Sequence, residues 1–184
     1  VFAGGIISIS GTPTSTVGSP FTYTVTTTGP CVIPTATGTI TVNPDASIVL
    51  TSAGPTTSQE LCRNSTITDI TYAISGGGTG AGATGLPAGV TGVYAGGVFT
   101  ISGSPTVAGL FNYTVTTTGT CVQNSLSGTI LVNPLPTAAF TYTAPSCETR
   151  VINFTDGSTP NVGALDLWNW DFGDGTTSTV QSPT

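Results

Sequence analysis

Four aspartates lie close together near the end of the sequence and are the first candidates for chemistry. They are Asp156, Asp166, Asp171 and Asp174. Carboxylates held by loops are natural ligands for a hard cation such as Ca²⁺. Their spacing matches no EF-hand, and Asp is also common in turns because its side chain accepts hydrogen bonds from nearby backbone. The sequence leaves open a calcium site formed by Asp156, Asp171 and Asp174, but it favours separate turn and cap roles.

Sulfur chemistry depends on four cysteines, Cys31, Cys62, Cys121 and Cys147. Cys31 and Cys121 each follow a Thr-Thr-Thr-Gly stretch. We predict a disulfide between Cys62 and Cys121, which closes a loop of 121 − 62 = 59 residues. In the chain-entropy account such a bridge contributes roughly 4 kcal/mol. Cys31 and Cys147 then find their partners outside the sequence. Disulfides imply an exported protein, whereas the alternative is four reduced, buried thiols.

The composition removes most enzymatic chemistry. There is no His and no Lys, and the two basic residues are Arg63 and Arg150. A protease triad needs an imidazole or amine base, and zinc enzymes usually use His. A net charge of −6 argues against nucleic acid, whose phosphates require clustered Lys and Arg. Glycoside hydrolysis needs two carboxyls across a cleft, and a small module offers no such cleft. We expect a non-enzyme that binds no nucleic acid.

Two short motifs imitate nucleotide-binding sites. Residues 80–85 satisfy the pattern G-x-G-x-x-G, but Leu86 and Pro87 stand where a helix would have to begin. Without a helix no dipole holds a pyrophosphate, so we interpret residues 80–85 as a flexible loop. Residues 171–173 copy the Asp-Phe-Gly triplet of kinases, but the sequence lacks the kinase Lys. Neither motif predicts a cofactor, and we expect none apart from the calcium alternative.

A repeat organises the elements that carry these residues. Residues 1–44 return as residues 93–134 after a two-residue length difference in one loop, and both copies end in Val-Asn-Pro. One unit is therefore 134 − 44 = 90 residues long. Because residue 1 falls inside a unit, we expect the sequence to be a window from a longer chain. The period predicts three domains: residues 1–44 as the C-terminal half of a unit, residues 45–134 as a complete unit, and residues 135–184 as the N-terminal part of a different module.

Hydrophobic alternation predicts an all-β fold. Apolar residues occupy alternate positions in five segments of the complete unit, as in half-buried strands, and helix is disfavoured by 25 Gly and 13 Pro. Short strands between Gly- and Pro-containing loops favour tandem immunoglobulin-like β-sandwiches, with Tyr23 and Tyr113 at equivalent core positions. No apolar run approaches the roughly 20 residues of a membrane helix, so we expect no membrane insertion in this segment. The five segments are residues 47–51, 66–75, 98–102, 110–118 and 127–132.

The complete unit resembles the Ig-like repeats of large bacterial surface proteins. The resemblance covers about half of the unit's 90 residues and lies in three stretches. These are Gly-Leu-Pro-Ala-Gly-Val at 85–90, Gly-Val-Phe-Thr-Ile-Ser-Gly-Ser-Pro-Thr at 97–106, and Ala-Gly-Leu-Phe-Asn-Tyr-Thr-Val at 108–115. They contain turn glycines, prolines and core residues, so the resemblance implies a fold and no catalytic site.

The last segment resembles a PKD domain, a β-sandwich module named after the polycystic kidney disease protein. The resemblance lies in Trp-Asp-Phe-Gly-Asp-Gly at 170–175. It implies that Trp170 is the core tryptophan and that Asp174 and Gly175 form a tight turn. By alternation, Trp168 should face the same side as Trp170. Ig-like and PKD modules in Thr-rich, cysteine-bridged chains are similar to the adhesins and gliding-associated surface proteins of Bacteroidetes, which are typically exported by type IX secretion.

This resemblance implies a non-catalytic structural or adhesive protein that forms a stalk or filament on a bacterial cell surface. Its expected partners are neighbouring repeats of the same chain, together with surface glycans or other surface proteins. One alternative makes the modules spacers or glycan-binding accessories of a secreted polysaccharide hydrolase. Another is a self-assembling filament in which a strand of one subunit completes the sheet of the next, since unpaired sheet edges invite added strands.

Overall fold

The chain is folded almost entirely into β-strands. The structure, a computed structural model, describes residues 2–3, 5–31, 33–143 and 151–184. These residues contain sixteen strands and one turn of 3-10 helix, which confirms the predicted all-β class. Cys147 and Arg150 lie outside the described residues, so the partner of Cys147 remains a prediction.

The first segment forms two antiparallel hairpins. Strand β1 (Phe2–Ala3) pairs with β2 (Ile6–Ile7). Strand β3 (Phe21–Thr26) pairs with β4 (Thr35–Ile40). The second hairpin carries sequence that recurs later in the chain, at residues 111–116 and 125–130.

The middle segment forms two four-stranded sheets. In the first sheet the strands are all antiparallel and are ordered β5-β7-β10-β9; in the second the order is β6-β12-β11-β8, with β6 parallel to β12. This arrangement corresponds to the two sheets of an immunoglobulin domain, with β6 as an additional edge strand. The predicted sandwich is therefore confirmed for this segment. The bounds are β5 Ala46–Leu50, 3-10 helix Gly54–Thr57, β6 Ser58–Cys62, β7 Ile70–Gly76, β8 Gly78–Thr84, β9 Val90–Ala95, β10 Val98–Gly103, β11 Gly109–Gly119 and β12 Ser125–Asn133.

A single hydrophobic core lies between these two sheets. Because successive side chains of a strand point to opposite faces, every second residue enters the core. The first sheet contributes Ile70, Tyr72 and Ile101, and the second contributes Tyr113 and Ile130, all of them fully buried. Burial of one such side chain is worth roughly 1.5–3 kcal/mol, so this core is the main source of stability for the sandwich.

The last segment forms two short hairpins around a cluster of aromatic rings. Strand β13 (Phe140–Tyr142) pairs with β14 (Phe154–Asp156), and β15 (Trp170–Asp171) pairs with β16 (Thr177–Ser178). Gly175 in the second turn has a φ of +90°, a conformation that glycine adopts without steric cost. The rings in contact are those of Phe140, Tyr142, Phe154, Trp170 and Phe172.

The predicted strands are present, with two corrections. Residues 66–69 precede β7 and are not part of a strand, although Ile67 is buried beside the core. The segment 80–85, predicted as a flexible loop, lies mostly in β8 and pairs with β11. Its glycines permit close packing, because a Cβ on Gly80 would come within 2.8 Å of the Thr118 hydroxyl oxygen. The loop interpretation is therefore wrong.

Candidate functional site

The buried centre of the sandwich holds a pair of tyrosines that joins the two sheets. Tyr72 on β7 and Tyr113 on β11 are both fully buried, and their hydroxyl oxygens are 3.1 Å apart. Burial, and after it the hydrogen bond with Tyr72, raises the pKa of Tyr113 above its ordinary value. The two hydroxyls therefore form a buried hydrogen-bonded link between the sheets.

Tyr113 also fits against a glycine of the neighbouring strand. It lies opposite Gly128 in the register of β11 and β12, and a Cβ on Gly128 would collide with the Tyr113 ring. The same pair recurs in the first hairpin as Tyr23 and Gly38. The predicted core role of Tyr23 needs correction, since this side chain is 37% exposed. Among the described residues, no second sheet packs over Tyr23 in the way that the first sheet of the sandwich packs over Tyr113.

Cys62 and Cys121 do not form the predicted bridge. Both are free thiols in the structure, as is Cys31. Cys62 lies opposite Asn133 at the C-terminal end of β12, whereas Cys121 precedes the start of β12 at Ser125. Eight residue steps along a strand cover roughly 27 Å. Because a disulfide requires Cα atoms about 4.4–6.8 Å apart, these two cysteines at opposite ends of one sandwich cannot pair.

The end of the sandwich where the chain enters is joined to the preceding Asn43-Pro44 segment. The Ala46 amide donates to the Val122 carbonyl over 3.0 Å, and the Gly77 amide donates to the Asp45 carbonyl over 3.2 Å. The Cys121 thiol lies 3.7 Å from the Asn43 carbonyl oxygen and donates to it. The linker between the first hairpin and the sandwich is thus held by the β11–β12 turn.

The end where the chain leaves the sandwich is held by β6. The Arg63 amide donates to the Asn133 carbonyl over 2.8 Å, and the Asn133 side-chain amide donates to a Glu60 carboxylate oxygen over 2.9 Å. Residues 58–62 pair in register with residues 129–133. The last strand of the unit is therefore fixed to a strand near its beginning.

The three aspartates predicted as a calcium site serve separate turns. Asp171 accepts from the Gly173 amide, and Asp174 accepts from the amide and the hydroxyl of Thr176. Hydrogen bonds from Thr176 lower the pKa of Asp174. Among the described residues, no three Cys, Asp or Glu side chains gather as a metal site would require. The described structure thus gives the three carboxylates turn roles and does not gather them into the predicted calcium site.

Asp156 holds three surrounding segments of the last module together. Its carboxylate accepts from the Ser158 amide over 2.9 Å, the Trp168 indole N–H over 3.0 Å and the Gln181 side chain over 3.2 Å. Hydrogen bonds from Ser158 and then from Gln181 and Trp168 lower the pKa of Asp156 to about 2. The carboxylate thus stays ionised and accepts hydrogen bonds from all three groups.

The two tryptophans of this module are half-buried and have different surroundings. Trp170 packs edge-on against Phe140, with ring centres 5.4 Å apart, and its indole N–H donates to the Val180 carbonyl over 2.8 Å. Trp168 precedes β15 and donates to Asp156. The two indoles are thus directed to different partners, and Trp170 belongs to the aromatic cluster, in which Phe154 contacts all four other rings.

The contacts described above join strands and segments of the fold to one another.

Sequence reasoning did not single out four of the groups that make these contacts. They are the Tyr72 hydroxyl, the Asn43 and Asn133 carbonyls and the strand β6. A period-two pattern reports which side chains are buried, but it does not report which strands become neighbours. Within the described part of the chain there is no helix with the length and hydrophobicity that a membrane span requires.

Comparison with known proteins identifies the fold. No family model and no curated protein matches the chain. Among solved structures, the chain is similar to an I-band fragment of titin, with a TM-score of 0.55 and 12% identity over 92% of this chain and 60% of the fragment. A glutamate-to-alanine variant of the same three titin Ig domains gives identical values.

A structure of domains 1–6 of the surface layer protein SbsC is also similar, with a TM-score of 0.39, 11% identity, and coverage of 88% of this chain and 29% of that one. The chain thus spans less than two thirds of each of these proteins. Identities this low establish architecture and no activity. The titin likeness agrees with the strand order described above: this chain is an all-β protein with the immunoglobulin-like fold.

Proposed function

We propose that this chain is a non-catalytic structural or adhesive repeat segment that carries tension on the surface of a bacterial cell. The observation that carries the proposal is the parallel pairing of β6 with β12, which joins the beginning and the end of one unit. The cellular location rests on the resemblance to bacterial surface repeats. Neighbouring units of the chain are the expected partners, with surface glycans or proteins as the expected adhesion targets.

Tension along the chain loads this pairing in shear. The chain enters the sandwich beside Cys121 and leaves it beside Asn133, at opposite ends of β12. A pull on both ends draws β6 and β12 past each other in opposite directions. Five register pairs, from Ser58 with Thr129 to Cys62 with Asn133, oppose that motion. Hydrogen bonds loaded in shear must break together, so the unit resists a pull better than a hairpin opened one pair at a time.

The composition supports the same role. Only 5% of residues are charged, and trypsin-like proteases have Arg63 and Arg150 as their cleavage sites. The unit has its own core, so such units can be joined in series and contact mainly their neighbours, as in other linear arrays. A proline at each boundary, Pro44 and Pro134, fixes one backbone dihedral and stiffens the connection.

Single-molecule pulling from the two ends of the chain tests the proposal. Unfolding of residues 45–134 is recognised by its extension of roughly 270 Å, the stretched length of 90 residues less the folded length. In Leu61→Pro a β6 amide that faces β12 is lost, because Leu61 and Arg63 present their amides to the same side. We expect a lower unfolding force than in the wild type.

Leu61→Ala is the matched control. It removes side-chain packing against the core but leaves the backbone hydrogen bonds of β6 intact. Both variants lower the equilibrium stability, the alanine variant by about 1–2 kcal/mol for a side chain only partly buried. The proposal requires the proline variant to lose far more unfolding force per kcal/mol of lost stability. If both variants lose the same unfolding force per kcal/mol of lost stability, the β6–β12 ladder is not the element that bears tension.

A further inference from the structure

The two ends of a unit present cysteines at positions that the repeat makes equivalent. Asn43 and Asn133 occupy the same place in their copies, 133 − 43 = 90 residues apart, and each is followed by proline. Cys62 lies at one of these asparagines and Cys121 at the other. The contacts seen at Asn133 and those seen at Asn43 can therefore be combined around the single asparagine that lies between two consecutive units.

At Asn133 the carbonyl oxygen points towards β6. It accepts the Arg63 amide over 2.8 Å, and Cys62 is the register partner of Asn133 in the parallel ladder. The Cys62 side chain is exposed and, by alternation, lies on the face of β6 away from the core. At the end of a unit, the free thiol of Cys62 therefore belongs to the residue next to Arg63, whose amide binds the Asn133 carbonyl.

At Asn43 the same carbonyl oxygen is contacted by the following sandwich. The Cys121 thiol lies 3.7 Å from it. The turn that carries Cys121 is fixed there, since the Ala46 amide donates to the Val122 carbonyl and the Val122 amide donates to the Asp45 carboxylate. A unit therefore begins with a free thiol directed at the last asparagine of the segment before it.

We infer that consecutive units of this type are joined by a disulfide between Cys62 of one unit and Cys121 of the next. In such a pair the asparagine carbonyl between the units accepts the Arg63 amide of the first and lies beside the Cys121 thiol of the second. Both cysteines then lie beside the same asparagine, and the bridge requires their Cα atoms to come within 4.4–6.8 Å of each other. The inference goes beyond the proposed function and does not depend on it.

The bridge explains why one unit holds two thiols that cannot pair with each other. It would lock each boundary covalently, next to the proline that already limits its motion. Formation needs a disulfide oxidant, such as oxidised glutathione or a protein disulfide. One cysteine thiolate attacks the oxidant and releases one thiol, and the second thiolate attacks the mixed disulfide and releases the other. The two cysteines lose two protons and two electrons, and the oxidant becomes two thiols.

The test uses the full chain with a second copy of residues 45–134 inserted directly after Pro134. The insertion recreates the natural boundary, since both Pro44 and the inserted junction read Val-Asn-Pro-Asp. Cys31→Ser and Cys147→Ser are introduced in every version, which leaves Cys62 and Cys121 in each copy. The chain is incubated with oxidised glutathione, and its remaining free thiols are blocked before denaturation.

Trypsin then separates the possible pairings, because Arg63 directly follows Cys62 and Arg150 lies beyond both copies. Cleavage gives a first peptide with Cys62 of copy one, a middle peptide with Cys121 of copy one and Cys62 of copy two, and a third peptide with Cys121 of copy two. The proposal predicts that the first and third peptides are linked and that the middle peptide carries two blocked thiols. Pairing within a unit would instead link the middle peptide to both others.

Two matched variants complete the test. Cys62→Ser in the first copy should abolish the linked pair, whereas Cys62→Ser in the second copy should leave it at the wild-type yield. Free thiols on all four cysteines after oxidation, or links within a unit, would overturn the inference. The result is separate from the pulling experiment, which is run under reducing conditions on a chain without the insertion.

Discussion

At the scale of single residues, a pair of tyrosines occupies the place where many immunoglobulin domains carry a disulfide. In antibody domains the bridge joins the second and sixth strands of the two sheets. Here the equivalent strands are β7 and β11, and Tyr72 and Tyr113 join them through their hydroxyls. A link of this kind does not require oxidation, so the fold of one unit is independent of the redox state of its cysteines.

Removal of both hydroxyls should cost less than the two single removals added together. Tyr72→Phe or Tyr113→Phe leaves a buried hydroxyl without its partner, and we expect each to lower the free energy of unfolding by about 1–3 kcal/mol. The double variant leaves no unpaired group, so its loss should be smaller than the sum of the two single losses. Urea unfolding of the four versions measures the difference. Additive losses would show that the hydroxyls do not interact.

Asp156 makes the last module sensitive to acid. Its pKa is lowered to about 2 by Ser158 first and then by Gln181 and Trp168, whereas an unfolded Asp titrates near roughly 3.9. A lowered folded pKa means that the stabilisation is complete above pH ~4 and is lost as the pH falls towards ~2. Tryptophan fluorescence should therefore change over this range, as Trp168 loses its acceptor.

Two aspartate substitutions test the assignment. Asp156→Asn should abolish the fluorescence change between pH ~4 and ~2, because one oxygen that accepts hydrogen bonds is replaced by a donor. Asp166→Asn, two residues from Trp168, removes the same charge and should retain the change. Equal responses in the two variants would mean that general charge, and not the Asp156 hydrogen bonds, sets the acid sensitivity.

At the scale of elements, a glycine opposite a tyrosine marks the pairing of the last two strands of the repeat. Tyr113 covers Gly128, and Tyr23 covers Gly38 in the first hairpin. Cross-strand pairs of this kind stabilise sheets because the ring shields the backbone of the residue beside it. The pair recurs even though Tyr113 is buried and Tyr23 is exposed, so it belongs to the hairpin itself.

Substitution of the covered glycine should be costly. In Gly128→Ala the new Cβ would lie 2.5 Å from the Thr57 carbonyl oxygen and would collide with Tyr113. We expect a loss of about 1–3 kcal/mol in the free energy of unfolding, as for other overpacked cores. Gly82→Ala in β8 is the control, because nothing lies within 4 Å of its Cβ. A Gly128→Ala protein as stable as the Gly82→Ala protein would contradict the packing argument.

Alternating hydrophobic residues made most strands of the sandwich predictable, including the edge strand β5, but not β6, β8 or β9. β7, β10, β11 and β12 were predicted because each has apolar residues at every second position. β6 reads Ser-Gln-Glu-Leu-Cys and β8 reads Gly-Thr-Gly-Ala-Gly-Ala-Thr, and neither shows that pattern. These two strands are held by backbone pairing to the sheet edge, which leaves little trace in the side chains.

The predicted sites failed for reasons of geometry. The predicted Cys62–Cys121 bridge was based only on the positions of the two residues in the repeat. The two thiols are far apart because they lie at opposite ends of β12. The aspartates were grouped because they are near in sequence, but each accepts from its own turn. Tyr113 was predictable because a buried aromatic at a period-two position needs no knowledge of which strands are neighbours.

At the scale of the whole molecule, burial is concentrated in the middle of the chain. Among the described residues, the buried hydrophobic side chains that form the core all lie between Ala46 and Val132. In the first hairpin, Phe21 and Ile40 are 40% and 42% exposed, and in the last module Tyr142 is 59% exposed. Isolated two-stranded hairpins are at best marginally stable in water. The flanking segments should therefore open far more often than the sandwich.

Hydrogen exchange followed by mass spectrometry should show this division. We expect slow exchange across β7, β10, β11 and β12, because their amides open only when the core opens. The amides of β3, β4, β13 and β14 should exchange much faster, since their hydrogen bonds are protected by few buried contacts.

Dilution distinguishes protection within one chain from protection between chains. If β3 and β4 were protected in concentrated but not in dilute protein, their apolar face and free edges would be covered by another copy, as in assembly by strand exchange. Protection of β3 and β4 at every concentration would require a covering element within the same chain and would contradict the expected contrast. We expect the amides of β3 and β4 to exchange fast at every concentration, because only a complete unit has a core that protects its strands.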